Sequence, residues 1–119
     1  MQCLEQDIPA ALEKYLKHPV TRWQPADLLP DPTSDNFIGE AREIRELAKD
    51  FDDAFWVVLV GDTITEEALP TYESKLMAMI GIDQEQDGRG DNALARWTRA
   101  WTAEESRHGD VLRTYLYLS

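Results

Sequence analysis

The sequence predicts an all-α protein, and its periodicity is the main reason. Apolar residues recur at steps of three and four through four stretches, as they do in helices that bury one face. Proline or glycine lies between most of these stretches, Asp52 and Asp53 lie between the second and the third, and strand-like alternation is rare. The longest strongly apolar run, residues 55–60, is far too short to cross a membrane. The length of 119 residues suits one domain.

The first predicted helix covers residues 4–17, because Leu4, Ile8 and Leu12 share a face at helical spacing. Pro9 suits the first turn of this helix, and Pro19 ends it. Residues 18–36 are rich in proline but also contain Trp23 and two leucines, which are too apolar for a free tether. We therefore expect residues 1–36 to form a short helix and a segment that packs against the helices that follow.

Three more helices are predicted over residues 37–50, over residues 54–80, and from a cap at residue 91 or 92 nearly to the C-terminus. Each is preceded by residues that accept hydrogen bonds from the first turn of a helix: Asp35 or Asn36, Asp52 with Asp53, and Asp91 or Asn92. Pro70 lies inside the third helix and predicts a kink there. Three tryptophans, Trp56, Trp97 and Trp101, are expected in the core.

Charge and cysteine content exclude several classes of protein. The formal net charge of −11 argues against nucleic-acid binding, which needs a basic surface. The single cysteine, Cys3, excludes a disulfide framework within the chain. The first residues show no secretory signal and are too acidic for an organellar transit peptide, so we expect any such peptide to lie outside this sequence.

A pair of potential metal ligands lies in the last predicted helix. Glu105 and His108 are three residues apart, so both side chains project from one face of a helix. A carboxylate with an imidazole suits iron, manganese or zinc. Trp101 and Leu112 lie on the same face, where an unpaired carboxylate would cost several kcal/mol. Glu66, in the middle of the third helix, is predicted to lie opposite, with Asp62 one turn before it.

Four runs of sequence carry a resemblance to a known family. They are residues 57–72, VVLVGDTITEEALPTY, and residues 97–110, WTRAWTAEESRHGD, with residues 23–32, WQPADLLPDP, and residues 115–119, YLYLS. These runs closely resemble the plant-type soluble acyl-[acyl carrier protein] desaturases. The resemblance covers essentially the whole chain and rests on long runs rather than on one short motif.

This resemblance implies a ferritin-like helical bundle that holds two ferrous ions in each complete subunit. Such desaturases act in fatty acid biosynthesis in the plastid stroma and form homodimers. They use O₂ and electrons from reduced ferredoxin to insert a cis double bond into a carrier-bound acyl chain, typically at the Δ9 position of stearoyl. The implied partners are therefore acyl-acyl carrier protein and ferredoxin.

The resemblance also assigns roles to individual residues. Glu66 would be a terminal iron ligand, Glu105 would bridge the two irons, and His108 would bind one of them. Spacing alone leaves Glu67 and Glu104 open as alternatives. Trp23 corresponds to a tryptophan near the histidine ligand and is assigned to packing or to electron transfer, and Asp62 either supports a ligand or is a solvated acid.

The chain departs from the family in one respect, because members continue with a long stretch that supplies another Glu and a second Glu-x-x-His. His18, the only other histidine here, lies beside a proline and is expected at the surface. We therefore expect residues 1–119 to be the N-terminal part of one desaturase domain, with residues 37–119 as bundle helices, half of the iron site and no activity alone. The alternatives are a ferritin-like metal-binding bundle completed by a second copy and a helical interaction module.

Overall fold

The computed structural model describes residues 7–79 and 92–119, and all the regular structure within these ranges is helical. The α-helices are α1 (Ile8–Tyr15), α2 (Phe37–Ala48), α3 (Asp53–Met77) and α4 (Ala93–Leu118). Two short 3₁₀ helices, Pro19–Thr21 and Pro25–Asp27, lie between α1 and α2. The all-α prediction is thus confirmed. None of the described helices combines the length and the apolar character needed to span a membrane.

Prolines lie at or near the start of α1 and of the two 3₁₀ helices that follow it. Pro9 lies in the first turn of α1, which ends at Tyr15, two residues before the predicted end. Residues 4–6 of the predicted helix lie outside the described residues. Pro19 and Pro25 each open a 3₁₀ helix, where the missing N–H of proline costs no hydrogen bond.

A tight turn follows the second 3₁₀ helix. The Thr33 N–H and hydroxyl both donate to Asp31 Oδ1, at 2.8 and 2.7 Å. These bonds stabilise the carboxylate, so they hold the pKa of Asp31 below its usual value. Local hydrogen bonds thus hold this part of the proline-rich segment in a defined turn.

Helix α2 begins where it was predicted and ends two residues early, at Ala48. Asn36 occupies the position before the first turn, but its side chain does not cap the helix. Its Nδ2 donates instead to Glu40 Oε1 at 3.2 Å. Asn36 thus occupies the predicted N-cap position. Its side chain bonds to the Glu40 side chain instead of to a backbone amide of the first turn.

Helix α3 is capped as predicted and continues through its internal proline. The Phe55 N–H donates to Asp52 Oδ1 at 2.8 Å, which satisfies one of the free amides of the first turn. Pro70 lies inside α3, which extends unbroken to Met77. The last predicted residue of this helix, residue 80, lies outside the described residues.

We expect Asp52→Ala to destabilise the complete protein by about 1 kcal/mol, the usual cost of losing a capping side chain. Urea denaturation would measure the loss. Asp50→Ala is the matched control, because Asp50 is an exposed aspartate two residues away that does not cap α3. Equal effects of the two changes would contradict the assigned cap.

Helix α4 is held at both ends. The Ala95 N–H donates to Asn92 Oδ1 at 2.8 Å, which confirms Asn92 as the N-cap; its alternative, Asp91, lies outside the described residues. At the other end, Arg45 Nε donates to the Leu118 carbonyl oxygen at 3.0 Å. A basic side chain suits this position, because the last carbonyls of a helix lack partners and carry partial negative charge.

The chain divides into two compact units. The first consists of Met1–Arg22 and Ala68–Glu105. Its described core contains Met77 and the fully buried Ala95, with Leu94 packed against them. Two buried threonines on α4 need no external partner, because Thr98 donates to the Leu94 carbonyl at 2.9 Å and Thr102 to the Thr98 carbonyl at 3.0 Å.

The second unit consists of Trp23–Glu67 and Ser106–Ser119. Ala41 and Ala48 are its buried apolar residues on α2. Gly109 is also buried, on the part of α4 that belongs to this unit. These small side chains let the helices approach closely, while Val57, Val58 and Ile64 of α3 are exposed.

Candidate metal centre

The three predicted ligands come together in the structure. One potential ligand atom from each of Glu66, Glu105 and His108 lies within 4.8 Å of the other two, and all three residues are half-buried. Glu105 is the last residue of the first unit, and Ser106 directly after it belongs to the second. The spacing of Glu105 and His108 is nevertheless fixed, because both lie on one turn of the continuous helix α4.

Close packing in the second unit brings Glu66 to His108. A Cβ added at the buried Gly109 would lie 3.5 Å from the Glu66 carbonyl carbon and 3.6 Å from its Cβ. The backbones of α3 and α4 therefore approach at the residue that directly follows His108. This contact was not predicted, although the sequence holds a signal for it: a glycine next to a candidate ligand in the middle of a helix.

The electrostatics of Glu66 fit a metal ligand. Its Oε2 is buried and has no hydrogen-bond partner. Burying a carboxylate oxygen without a partner costs several kcal/mol, so native proteins place a donor or a cation there. Two carboxylates and an imidazole are also the donors that iron, manganese and zinc accept. The residues present thus fit the metal that the resemblance implies.

The two alternative glutamates have other surroundings. Glu67 is exposed and accepts a hydrogen bond from Arg113 Nη1 at 3.3 Å, while Arg113 Nη2 donates to Asp110 at 2.7 Å. Glu104 lines a groove of about 290 Å³ in the first unit, together with Trp97 and Trp101. The cluster around His108 thus contains the predicted member of each glutamate pair.

We expect Glu66→Gln to lower iron content strongly and Glu67→Gln to lower it much less, both in the complete protein. The reason is that the Glu66 carboxylate faces the cluster, whereas that of Glu67 contacts Arg113 at the surface. Iron analysis of the two purified variants measures the difference, and each variant serves as the control for the other. The reverse order would mean that Glu67 is the ligand.

Trp23 contacts the candidate histidine ligand, as the resemblance implied. Its ring stacks on the imidazole of His108, with 5.6 Å between ring centres and 8° between planes. The guanidinium carbon of Arg107 lies 5.3 Å from the centre of the same indole. No signal in the sequence predicted the contact of Arg107 with Trp23, because it depends on how a distant loop packs against α4.

The other predicted residues have simpler surroundings. Asp62 is exposed, as a solvated acid would be, and its support of a ligand stays a prediction. His18 is exposed as expected, and its Nδ1 accepts from the Val20 N–H at 3.4 Å. Trp56 and Trp101 are half-buried. The prediction that Trp97 lies in the core is wrong for this chain, since its side chain stacks on Trp101 and keeps 44% of its surface exposed.

Comparison with known proteins identifies the family. The model of the fatty acid desaturase family matches residues 1–119. The chloroplastic palmitoyl-[acyl-carrier-protein] 4-desaturase of Coriandrum sativum is 58% identical over 105 residues, which are 88% of this chain and 27% of that protein. The chloroplastic stearoyl-[acyl-carrier-protein] 9-desaturase of Ricinus communis is 55% identical over 112 residues, which are 92% of this chain and 28% of that protein.

The corresponding stearoyl enzyme of Brassica napus is 55% identical over 104 residues, which are 87% of this chain and 26% of that protein. The chain thus spans about a quarter of the length of the curated relatives it matches. Because the family model covers every residue, the similarity includes the cluster around His108 as well as the helices that hold it. The chain belongs to the fatty acid desaturase family.

Proposed function

We propose that this chain is part of a plastid acyl-[acyl carrier protein] desaturase and supplies Glu66, Glu105 and His108 to its di-iron centre. The complete protein would introduce a cis double bond into a carrier-bound acyl chain during fatty acid biosynthesis. One observation carries the proposal: a cluster of two carboxylates and an imidazole in a chain that matches the fatty acid desaturase family along its length. The names of the relatives support the substrate class and the plastid.

Each of the three residues has a distinct proposed role. Glu66 would hold one iron as a terminal ligand, Glu105 would be shared by both irons, and His108 would hold one of them. When bound, iron supplies the redox chemistry that O₂-dependent desaturation needs. A di-metal site of this type takes ligands from four helices, and α3 and α4 would be two of these helices. Residues 1–119 would then be the N-terminal part of a ferritin-like domain and hold half of its site.

An aromatic neighbour restricts the orientation of the His108 ring. Trp23 covers one face of the His108 imidazole, so that ring cannot turn freely. Ring orientation matters at a metal site, because one imidazole nitrogen must point at the metal. We propose that Trp23 acts here through packing, with electron transfer to the iron site as the alternative role. Reduced ferredoxin is the proposed electron donor, and the complete enzyme is proposed to be a homodimer.

The relatives differ in the double-bond position that their names give. The 4-desaturase is 58% identical to this chain, and the Ricinus and Brassica 9-desaturases are each 55% identical. We propose Δ9 desaturation of stearoyl-acyl carrier protein, because both the Ricinus and the Brassica relatives carry that activity in their names.

A product assay of the complete protein tests the function. The protein is supplied with ferrous iron, reduced ferredoxin and O₂, and with stearoyl- or palmitoyl-acyl carrier protein in separate reactions. The expected product is the Δ9 monounsaturated stearoyl chain, identified by mass spectrometry of a derivative that marks the double bond. Iron binding with no unsaturated product from either substrate would favour the alternative, a ferritin-like metal-binding or interaction bundle.

A further inference from the structure

The positively charged side chain of Arg107 lies against the Trp23 indole, which in turn stacks on the His108 imidazole. The Arg107 guanidinium carbon is 5.3 Å from the centre of the Trp23 indole, which itself lies 5.6 Å from the centre of the imidazole. All three residues belong to the second compact unit. Arg107 and His108 are neighbours on α4, so one turn of helix positions both groups against the indole.

We propose that Arg107 keeps Trp23 in its reduced state. The arginine side chain is always charged, and a cation within about 6 Å of an indole centre is attracted by the electron density of the ring. Removing one electron from the indole gives a radical cation, which the guanidinium repels. The same neighbour therefore stabilises the reduced ring and destabilises the oxidised one. Arg107 is therefore a positioning residue: its charge acts on the site only through the Trp23 indole.

The chemical need for such protection rests on the proposed function. Iron held by His108 would supply redox chemistry with O₂, and the Trp23 indole stacks on that imidazole. A one-electron oxidant would take an electron from the indole, the ring would release its N–H proton to water, and O₂ would add to the resulting radical. The tryptophan would end as an oxygenated product, and the stack on His108 would be lost. A fixed charge beside the ring makes the first of these steps harder.

The test uses the metal-free complete protein and photoexcited lumiflavin, a one-electron oxidant without net charge. Mass spectrometry measures oxygen addition to the peptide containing Trp23, relative to the peptide containing the more exposed Trp97. In Arg107→Gln, the oxidation of Trp23 is expected to rise about two- to fivefold, the factor that corresponds to about 0.5–1 kcal/mol of cation–π attraction. Arg107→Lys restores the charge and should keep oxidation near that of the unmodified protein.

Two controls separate charge from exposure. Hydroxyl radicals react at the rate of diffusion, so their yield at Trp23 reports access to the ring and should be the same in the three proteins. Lys14→Gln removes one positive charge, from a cation–π pair with Tyr15 in the first unit, and should leave the oxidation of Trp23 unchanged. Should the Gln variant not fold, Arg107→Met provides the uncharged side chain of similar length.

Three results would overturn the proposal: no rise in Arg107→Gln, a rise matched by an equal rise in hydroxyl-radical yield, or a Lys variant that oxidises like the Gln variant. Because the protein carries no iron in this experiment, the result does not depend on whether the iron site or the desaturase function is assigned correctly. The iron analysis and the product assay test those two assignments independently.

Discussion

Replacement of His108 by Ala in the complete protein is expected to abolish desaturation and to lower the iron content. The imidazole is the one nitrogen donor in the cluster with Glu66 and Glu105, so the variant leaves two carboxylates to hold the metal on this side of the site. Changing a residue that merely supports a metal ligand costs about 10–100-fold in affinity or activity. Loss of the ligand itself should cost more, and we expect a loss of product of at least about 100-fold.

The measurements are iron per subunit and the rate of product formation from stearoyl-acyl carrier protein. His18→Ala is the matched control, because it removes the same side chain from an exposed position outside the cluster. Circular dichroism of both variants shows whether the helices persist, which separates loss of the ligand from loss of the fold. A His108→Ala protein that keeps its iron and its full rate would contradict the assignment of the site.

The helices could be predicted because their determinants are local. Asp52 and Asn92 accept hydrogen bonds from amides three residues ahead, so the chain itself brings cap and helix together. The C-terminal ends of the helices were predicted less accurately, since α1 and α2 each end two residues before the predicted residue. Final turns have few hydrogen bonds of their own, and periodicity does not mark where they end.

The candidate site could be predicted in part, again for a local reason. The separation of Glu105 and His108 places both on one face of any helix, and the structure keeps that geometry. The choice between Glu66 and Glu67 depends on how α3 is rotated about its axis, which its mixed apolar and acidic pattern leaves open. The structure makes the difference visible, since Glu67 reaches Arg113 at the surface and Glu66 has a buried oxygen.

Contacts between distant segments could not be predicted from the sequence. Arg107 has the features of an ordinary solvated residue of an amphipathic helix, and its contact with Trp23 arises from the packing of residues 84 positions apart in the chain. The exposure of Trp97 was missed for the same reason. A helical pattern states which residues share a face, whereas burial also depends on what covers that face.

The isolated 119-residue chain is expected to associate in solution and to show no desaturase activity. Within the described residues the buried apolar side chains are few, and three of the five are alanines: Leu12, Ala41, Ala48, Met77 and Ala95. Large apolar side chains on α3 lie at the surface, with Val57 73% and Ile64 63% exposed. Each large side chain left in water forgoes roughly 1.5–3 kcal/mol, and a few of them rival the net stability of a domain, about 5–15 kcal/mol.

Other surfaces add to this tendency. The groove in the first unit exposes Tyr15 and Trp97, which are 70% and 44% accessible to solvent. Contiguous apolar surface of this kind drives association unless another helix or chain covers it. Aggregation is the expected outcome for most of the protein. Pairing of two copies is the ordered alternative, because it would combine two Glu with two Glu-x-x-His in one four-helix site.

Size-exclusion chromatography with light scattering, with and without ferrous iron, measures the association. The double variant Val57→Glu with Ile64→Glu should shift the chain towards smaller species, because both residues lie on one face of α3 at a spacing of two turns. Thr65→Glu, at an exposed polar position of the same helix, is the control and should change little. A dimer that forms only with iron would support pairing around a shared site. A sharp monomer peak with cooperative thermal unfolding and no response to iron would instead show that the chain is a self-sufficient domain.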